Sequence, residues 1–188
     1  APKDSGRRVF RVVGYNLKGH PGIAGGYDKK TRLKEIGRMF GVNSKSQTPP
    51  DVILLQEAFI KNTNDINLVA KFPSESRGPT KSDFDENGVK MEGNLFNSGL
   101  LMLSPHPFLK TDKVAFSAGT CRSFDCLANK GVQMAEVKLA DLPFAIPVFN
   151  THAQAGREKS CDKRIMQLEI AKRFIAKNTN WTKPLIFG

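Results

Sequence analysis

Apolar residues come in short dense runs along this chain, separated by polar stretches of very unequal length. Residues 9–15 (VFRVVGY) are β-branched and aromatic and run into a Gly-rich stretch at 14–26, which predicts a strand passing into a loop. Residues 29–40 set Leu33, Ile36 and, one position off the i+4 step, Met39 and Phe40 on one side of a helix, with the basic residues largely opposite. Pro49 and Pro50 close that unit. Residues 51–55 (DVILL) are continuously apolar after the aspartate, as expected of a strand covered on both faces, and the run ends at Gln56-Glu57.

Residues 61–97 mix Asn, Ser, Pro, Gly and acidic side chains without a period, which predicts a long surface loop with short helical pieces. Residues 98–104 (SGLLMLS) predict a buried strand, ended by Pro105 and Pro107. The alternating run 131–139 (GVQMAEVKL) and the apolar run 145–150 (AIPVFN) predict two neighbouring strands. The clearest helix spans 160–177, with Ile165, Leu168, Ala171 and Phe174/Ile175 at three- and four-residue steps and Ser160 as N-cap. Residues 184–187 begin one more apolar strand. With no repeat and no low-complexity segment, the pattern is one of mixed α/β layers, strands outnumbering helices.

Composition adds one bound: 188 residues at 39% hydrophobic suit a single globular domain with a sizeable core. No run approaches the roughly 18 consecutive apolar residues of a membrane span. The formal charge of +11 is uneven. Residues 1–48 hold 11 Lys/Arg against 3 Asp/Glu, residues 49–100 hold 5 against 8, and residues 101–188 hold 13 against 7. A basic excess around an acidic middle fits a polyanionic partner, either nucleic acid or an anionic membrane surface, and equally a solubilising surface. Cys121, Cys126 and Cys161 have no metal-ligand spacing; one disulfide with one leftover thiol, or three thiols in a reducing compartment, are both open.

Three apolar runs end in a polar residue suited to metal or phosphate: Asn16, Glu57 and His152. A carboxylate at the end of a buried strand suits a hard cation, asparagine adds a neutral oxygen or an amide donor, and histidine donates to a phosphoryl oxygen as charge accumulates there. Taken singly, Glu57 is an ordinary carboxylate at a helix start, Asn16 a turn residue and His152 a hydrogen-bonded histidine. His20 and His106, each beside a proline, read as loop residues.

The ordered series GYN (14–16), LLQEAF (54–59), NSGLLMLS (97–104) and NTHAQA (150–155) resembles the endonuclease/exonuclease/phosphatase superfamily across nearly the whole chain. That resemblance implies an α/β (α+β) fold, a two-sheet β-sandwich flanked by helices of the DNase I-like kind. It also implies Mg²⁺, or another divalent cation such as Mn²⁺, on Glu57 with Asn16 beside it. His152 falls on the phosphate-contacting histidine, and the polar opening of NSGLLMLS, Ser98 beside Asn97, on the substrate side. Within the superfamily the chain is most similar to neutral and bacterial sphingomyelinases, which hydrolyse sphingomyelin to ceramide and phosphocholine by Mg²⁺-assisted attack of water. NTHAQA resembles their N/G-T-H-L-Q-A, with Ala153 in place of Leu. CRSFDCLANKG (121–131) resembles the segment in which they carry Asp, four residues, then Lys-Gly. By that match Asp125 and Lys130 form a mobile pair at the active-site mouth that gates entry, and Cys121 pairs with Cys161.

Two family motifs are absent: an Asp-x-Asn after a Gly-ending strand, and a later Asp-His whose histidine is the general base. PLIFG (184–188) looks like the strand leading into the first. The expectation is therefore one catalytic domain over 1–188 without its C-terminal part, as a segment of a longer polypeptide before a two-chain enzyme or a non-catalytic remnant. The expected partner is a phospholipid or other phosphodiester with peripheral membrane contact. A Mg²⁺-dependent nuclease and an incomplete binding module are the alternatives. The expected location is secreted or membrane-peripheral, with the cytoplasm also open.

Overall fold

The computed structural model describes residues 9–21, 28–42, 44 and 48–188. Eight strands form two four-stranded sheets. The first holds β1 (Val12–Asn16), β2 (Val52–Gln56), β4 (Leu101–Ser104) and β3 (Ser74–Arg77) in that spatial order. The second holds β5 (Phe108–Ala115), β6 (Gly131–Lys138), β7 (Ala145–Thr151) and β8 (Ile186–Phe187). β1 runs parallel to β2 and β8 parallel to β7, while the other pairs are antiparallel. This is the α+β, two-sheet arrangement of the DNase I-like fold.

The period-two alternation of the strands divides the core into three. Val52 and Leu54 of β2 and Met102 of β4 pack between the sheets against Ala135, Val137, Ile146 and Val148. The opposite-facing Ile53, Leu55, Leu101 and Leu103 pack outward on α1 (Lys29–Phe40) and α2 (Asn64–Ala70) through Leu33, Ile36 and Ile66. Val132, Met134 and Phe149 face the other way, onto Ile170, Ala171 and Phe174 of α3 (Cys161–Asn178). Central strands covered on both sides need unbroken apolar runs, which is why β2 and β4 read so clearly in the sequence.

The edges read less clearly. The stretch 61–97 holds the short helical pieces expected of it, Lys61–Thr63 and α2, but also the strand β3, and β5 has no counterpart in the sequence pattern. Both strands lie at sheet edges and are polar: SESR in β3, and FLKTDKVA with a register shift between Phe108 and Thr111 in β5. Polar side chains, lysine and bulges are how exposed edges resist pairing with another chain, and they erase the apolar alternation. α3 has its expected span but a rotated face. Ile165 and Leu168 are 57% and 48% exposed, whereas Gln167 is buried with Ile170 and Phe174. Gln167 takes the inward position because its amide accepts from the Gln154 N–H (2.7 Å) and donates to the Thr120 carbonyl (3.0 Å). Ser160 stands at the N-cap position, but its hydroxyl makes no capping bond. The Gly-rich stretch expected at 14–26 lies partly outside the described residues.

Candidate functional site

Glu57 and His152 lie 95 residues apart and arrive from different sheets, so something must tie the ends of β2 and β7 together. The tie is a polar seam in the sandwich. Gln56 Nε2 donates to Asn150 Oδ1 (2.9 Å), and Asn150 Nδ2 donates to the Leu55 carbonyl (3.2 Å) and to Gln133 Oε1 (3.3 Å). Asn150 and Gln133 are fully buried, so these bonds satisfy groups that water cannot reach. The residues just beyond the seam then emerge at the same end of the sandwich.

At Glu57 the backbone turns left-handed, with φ 57°. That conformation costs a non-glycine residue about 1 kcal/mol. The surroundings hold it: the Gly19 N–H donates to the Glu57 carbonyl (3.0 Å), and the Ala58 N–H to the Gly99 carbonyl (2.8 Å). A Cβ on residue 19 would stand 2.5 Å from the Glu57 carbonyl oxygen, so only glycine permits the approach. The carboxylate is left between two imidazoles, with Oε2 2.8 Å from His20 Nε2 and Oε1 3.4 Å from His152 Nε2.

Lys130 is 5% exposed. Its ammonium donates to Asp125 Oδ2 and to the Ala153 carbonyl, each at 2.9 Å, and the same Asp125 oxygen accepts the Ala155 N–H at 2.6 Å. The pair expected to be mobile is here hydrogen-bonded on both sides to the segment that carries His152. Burial and the nearby Lys130 charge push the His152 pKa below the ordinary histidine value, with Glu57 and Asp125 pulling the other way. The imidazole is therefore neutral at pH 7.

These side chains border one cavity of about 340 Å³. Glu57, His20, His152, Lys130 and Asp125 supply its polar part, and Phe59, Phe96, Phe124 and Leu127 its apolar wall. His20 stacks on Phe59 at 5.4 Å, and Phe59 leans on Phe96 at 6.0 Å.

Not every expected residue reaches this cavity. Asn16 ends β1 opposite Gln56, one position from Glu57, but its side-chain oxygen accepts the Lys18 N–H (2.8 Å). Ser98 is buried away from substrate, its hydroxyl accepting the Leu100 N–H (3.3 Å), and Asn97 accepts the Gly99 N–H (2.8 Å). The disulfide joins Cys121 to Cys126, not to Cys161, which is an exposed thiol. The 3-10 turn Ser123–Leu127 brings the two Cα atoms to 5.3 Å, a spacing a disulfide spans without backbone movement. His106 is a loop residue bound to Asp51 (2.8 Å).

Sequence reasoning missed His20, Gln56 and Asn150. Gln56 and Asn150 do carry a signal, each ending an apolar run one or two positions before a candidate. His20 carries none, because what places it is the fold of a glycine-rich loop.

Among the described residues, no group of three or more His, Cys, Asp or Glu is disposed to cage a metal ion. The donor set fits a different arrangement. One partly buried carboxylate with imidazoles beside it suits a hard cation that keeps several waters and completes its shell with substrate oxygens.

No protein-family model matches the sequence, and no curated protein sequence does. Solved structures match closely in shape. Beta toxin from Staphylococcus aureus superposes with a TM-score of 0.76 at 18% identity, over 96% of this chain and 65% of that one. Sphingomyelinase C from Streptomyces griseocarneus gives 0.75 at 20% identity, over 95% and 62%. An endonuclease/exonuclease/phosphatase protein from Beutenbergia cavernae gives 0.62 at 18%, over 96% and 47%. The resemblance to that superfamily and to bacterial sphingomyelinases thus holds in three dimensions, at identities that speak for the fold. The chain spans less than two thirds of the length of each of these three proteins.

Proposed function

We propose that this chain carries a divalent-cation-dependent phosphodiesterase site of the sphingomyelinase C kind, cleaving sphingomyelin to ceramide and phosphocholine. The observation that carries the reading is convergence. Glu57, His152 and the Lys130–Asp125 pair come from separate segments and border one cavity. Glu57 would hold a divalent cation there, which would supply Lewis-acid polarisation of a phosphoryl oxygen and a more acidic water.

This chain's own side chains do the rest. Glu57 is the anionic ligand, held in orientation by His20. A neutral His152 donates one N–H to a phosphoryl oxygen, and the bond strengthens as negative charge develops. Lys130 adds a fixed positive charge in a poorly solvated position, which favours the same charge development and keeps His152 neutral. Asp125 holds that charge in place, and Phe59, Phe96 and Leu127 exclude water from one side of the reacting group.

The alternative is a nuclease of the same fold, which the +11 charge favours. Sphingomyelin vesicles and plasmid DNA, each incubated with and without Mg²⁺, separate the two. Phosphocholine release that requires Mg²⁺ is expected. DNA cleavage with sphingomyelin left intact would overturn the lipid reading.

A further inference from the structure

Phe124 is 87% exposed, the most exposed large apolar side chain among the described residues, and it stands at the lip of the cavity. Nothing about its turn is loose. Cys121 and Cys126 close the loop by a disulfide, and Ser123 holds a left-handed backbone at φ 58°. The backbone of Arg122 both donates to Gln154 Oε1 (2.8 Å) and accepts from Gln154 Nε2 (3.3 Å), and Asp125 is tied to Lys130 and Ala155. A ring that had the apolar wall of Phe59, Phe96 and Leu127 to fold onto is held out in water by a pinned backbone.

Single exposed apolar residues are ordinary, but this one belongs to a patch. Leu95 is 55% exposed and touches the same turn, its N–H donating to the Leu127 carbonyl (2.8 Å), as does that of Phe96 (2.9 Å). Basic groups stand close by. Arg122 stands two residues before Phe124 in the turn, its guanidinium 3.5 Å from the exposed Asp162 carboxylate, and the loop that Gln154 ties to Arg122 continues into exposed Arg157 and Lys159, with Glu158 between them. An apolar tip beside cationic side chains is the chemistry of insertion at an anionic lipid surface, where the ring enters the acyl boundary and the cations meet the headgroups.

We propose that the disulfide-closed turn 121–126, with Phe124 at its tip and Leu95 beside it, seats this protein on an anionic lipid surface so that the cavity opens toward the bilayer. The proposal rests on the lipid reading of the cavity, and its test is separable from that reading. Co-sedimentation is measured with phosphatidylcholine vesicles, with and without phosphatidylserine, in chelator so that no turnover occurs. The wild type is expected to favour the phosphatidylserine vesicles, and Phe124→Ala to weaken that partition about tenfold, the worth of one buried aromatic side chain. Phe124→Trp should retain binding and, above the Trp181 background, shift its emission to the blue on contact with vesicles. No binding by the wild type, or equal binding by wild type and Phe124→Ala, overturns the proposal. So does a Phe124→Ala variant that loses affinity for single-stranded DNA while keeping its vesicle binding, since the ring would then be a base-stacking platform. Phe124-dependent binding by a protein that hydrolyses no diester sinks the enzymatic reading alone; hydrolysis with Phe124-independent binding sinks the docking turn alone.

Discussion

Two cavities on this molecule invite the same question and answer it differently. The larger, about 750 Å³, lies between residues 83–88, β5 and α3, and it is lined by more formally charged side chains than the one of about 340 Å³ at the ends of β2 and β7. Three of its four carboxylates, however, are already engaged nearby, the fourth being Glu86, whose Oε2 is buried without a hydrogen-bond partner among the described residues. Asp83 Oδ2 accepts from Lys113 (2.6 Å) and from the Thr80 N–H (2.7 Å), Asp85 accepts two N–H groups of its own turn, and Asp112 accepts from Asn178 (3.1 Å). In the smaller cavity the Glu57 carboxylate meets, among the described residues, two imidazole nitrogens, and burial together with the nearby Lys130 depresses the His152 pKa. On the proposed reading, chemistry follows neither volume nor charge but the convergence of distant segments.

The largest expected effect separates the cavities by activity. His152→Ala should lower turnover of a phosphodiester by about 10²- to 10⁴-fold with the circular dichroism spectrum retained. Asp83→Asn should leave the rate within about twofold of wild type, as expected of a surface substitution away from the chemistry. Equal losses from both would dissolve the distinction.

Next comes the seam that assembles the smaller cavity. Asn150→Leu removes the Gln56 Nε2 and Gln133 Oε1 bonds of the seam, leaving Gln56 a bond to the Leu54 carbonyl (3.3 Å) and Gln133 one to Ser76 (3.3 Å), and should cost about 1–3 kcal/mol in urea unfolding. A variant as stable as the wild type would mean that the strand ends are joined by packing alone.

The pH dependence is smaller and has a definite sign. His152 titrates lower in the folded protein than its ordinary 6.5, so between those values the unfolded chain binds more protons. Its contribution is fully present above about 6.5 and declines as pH falls toward the folded value, by at most about 1.4 kcal/mol per pH unit. In Lys130→Met the imidazole pKa should rise, read by NMR titration, because one cause of the depression is gone.

The smallest effect belongs to the larger cavity. Burial raises the Asp83 pKa, but the bonds from Lys113 and Thr80 outweigh it, and the carboxyl titrates below its ordinary 3.8. That contribution is present above 3.8 and is lost as pH falls through the folded value. The pair is partly exposed, so Asp83→Asn should cost under about 1 kcal/mol by thermal melting.

What the sequence disclosed follows the same physics. β2, β4, β6, β7 and α1 were legible because burial on one or both faces imposes a period on side chains. β3 and β5 were not, since edge strands are selected for polarity. On α3 the buried Gln167 sits where an apolar residue was expected, and no periodicity reports a hydrogen bond to Gln154. Glu57 and His152 stood out as polar residues ending apolar runs, and the fold brings them within 3.4 Å. His20 depends on the path of a loop, and the choice of Cys126 over Cys161 as the partner of Cys121 depends on a local 3-10 turn, neither of which has a sequence period.

The central proposal is that Glu57 would be the anionic ligand of a divalent cation. Calorimetric titration of Mg²⁺ into the wild type and into Glu57→Gln tests it most directly. One binding event is expected in the wild type, lost in Glu57→Gln while the thermal midpoint stays near that of the metal-free wild type. Undiminished Mg²⁺ affinity in the variant would contradict it.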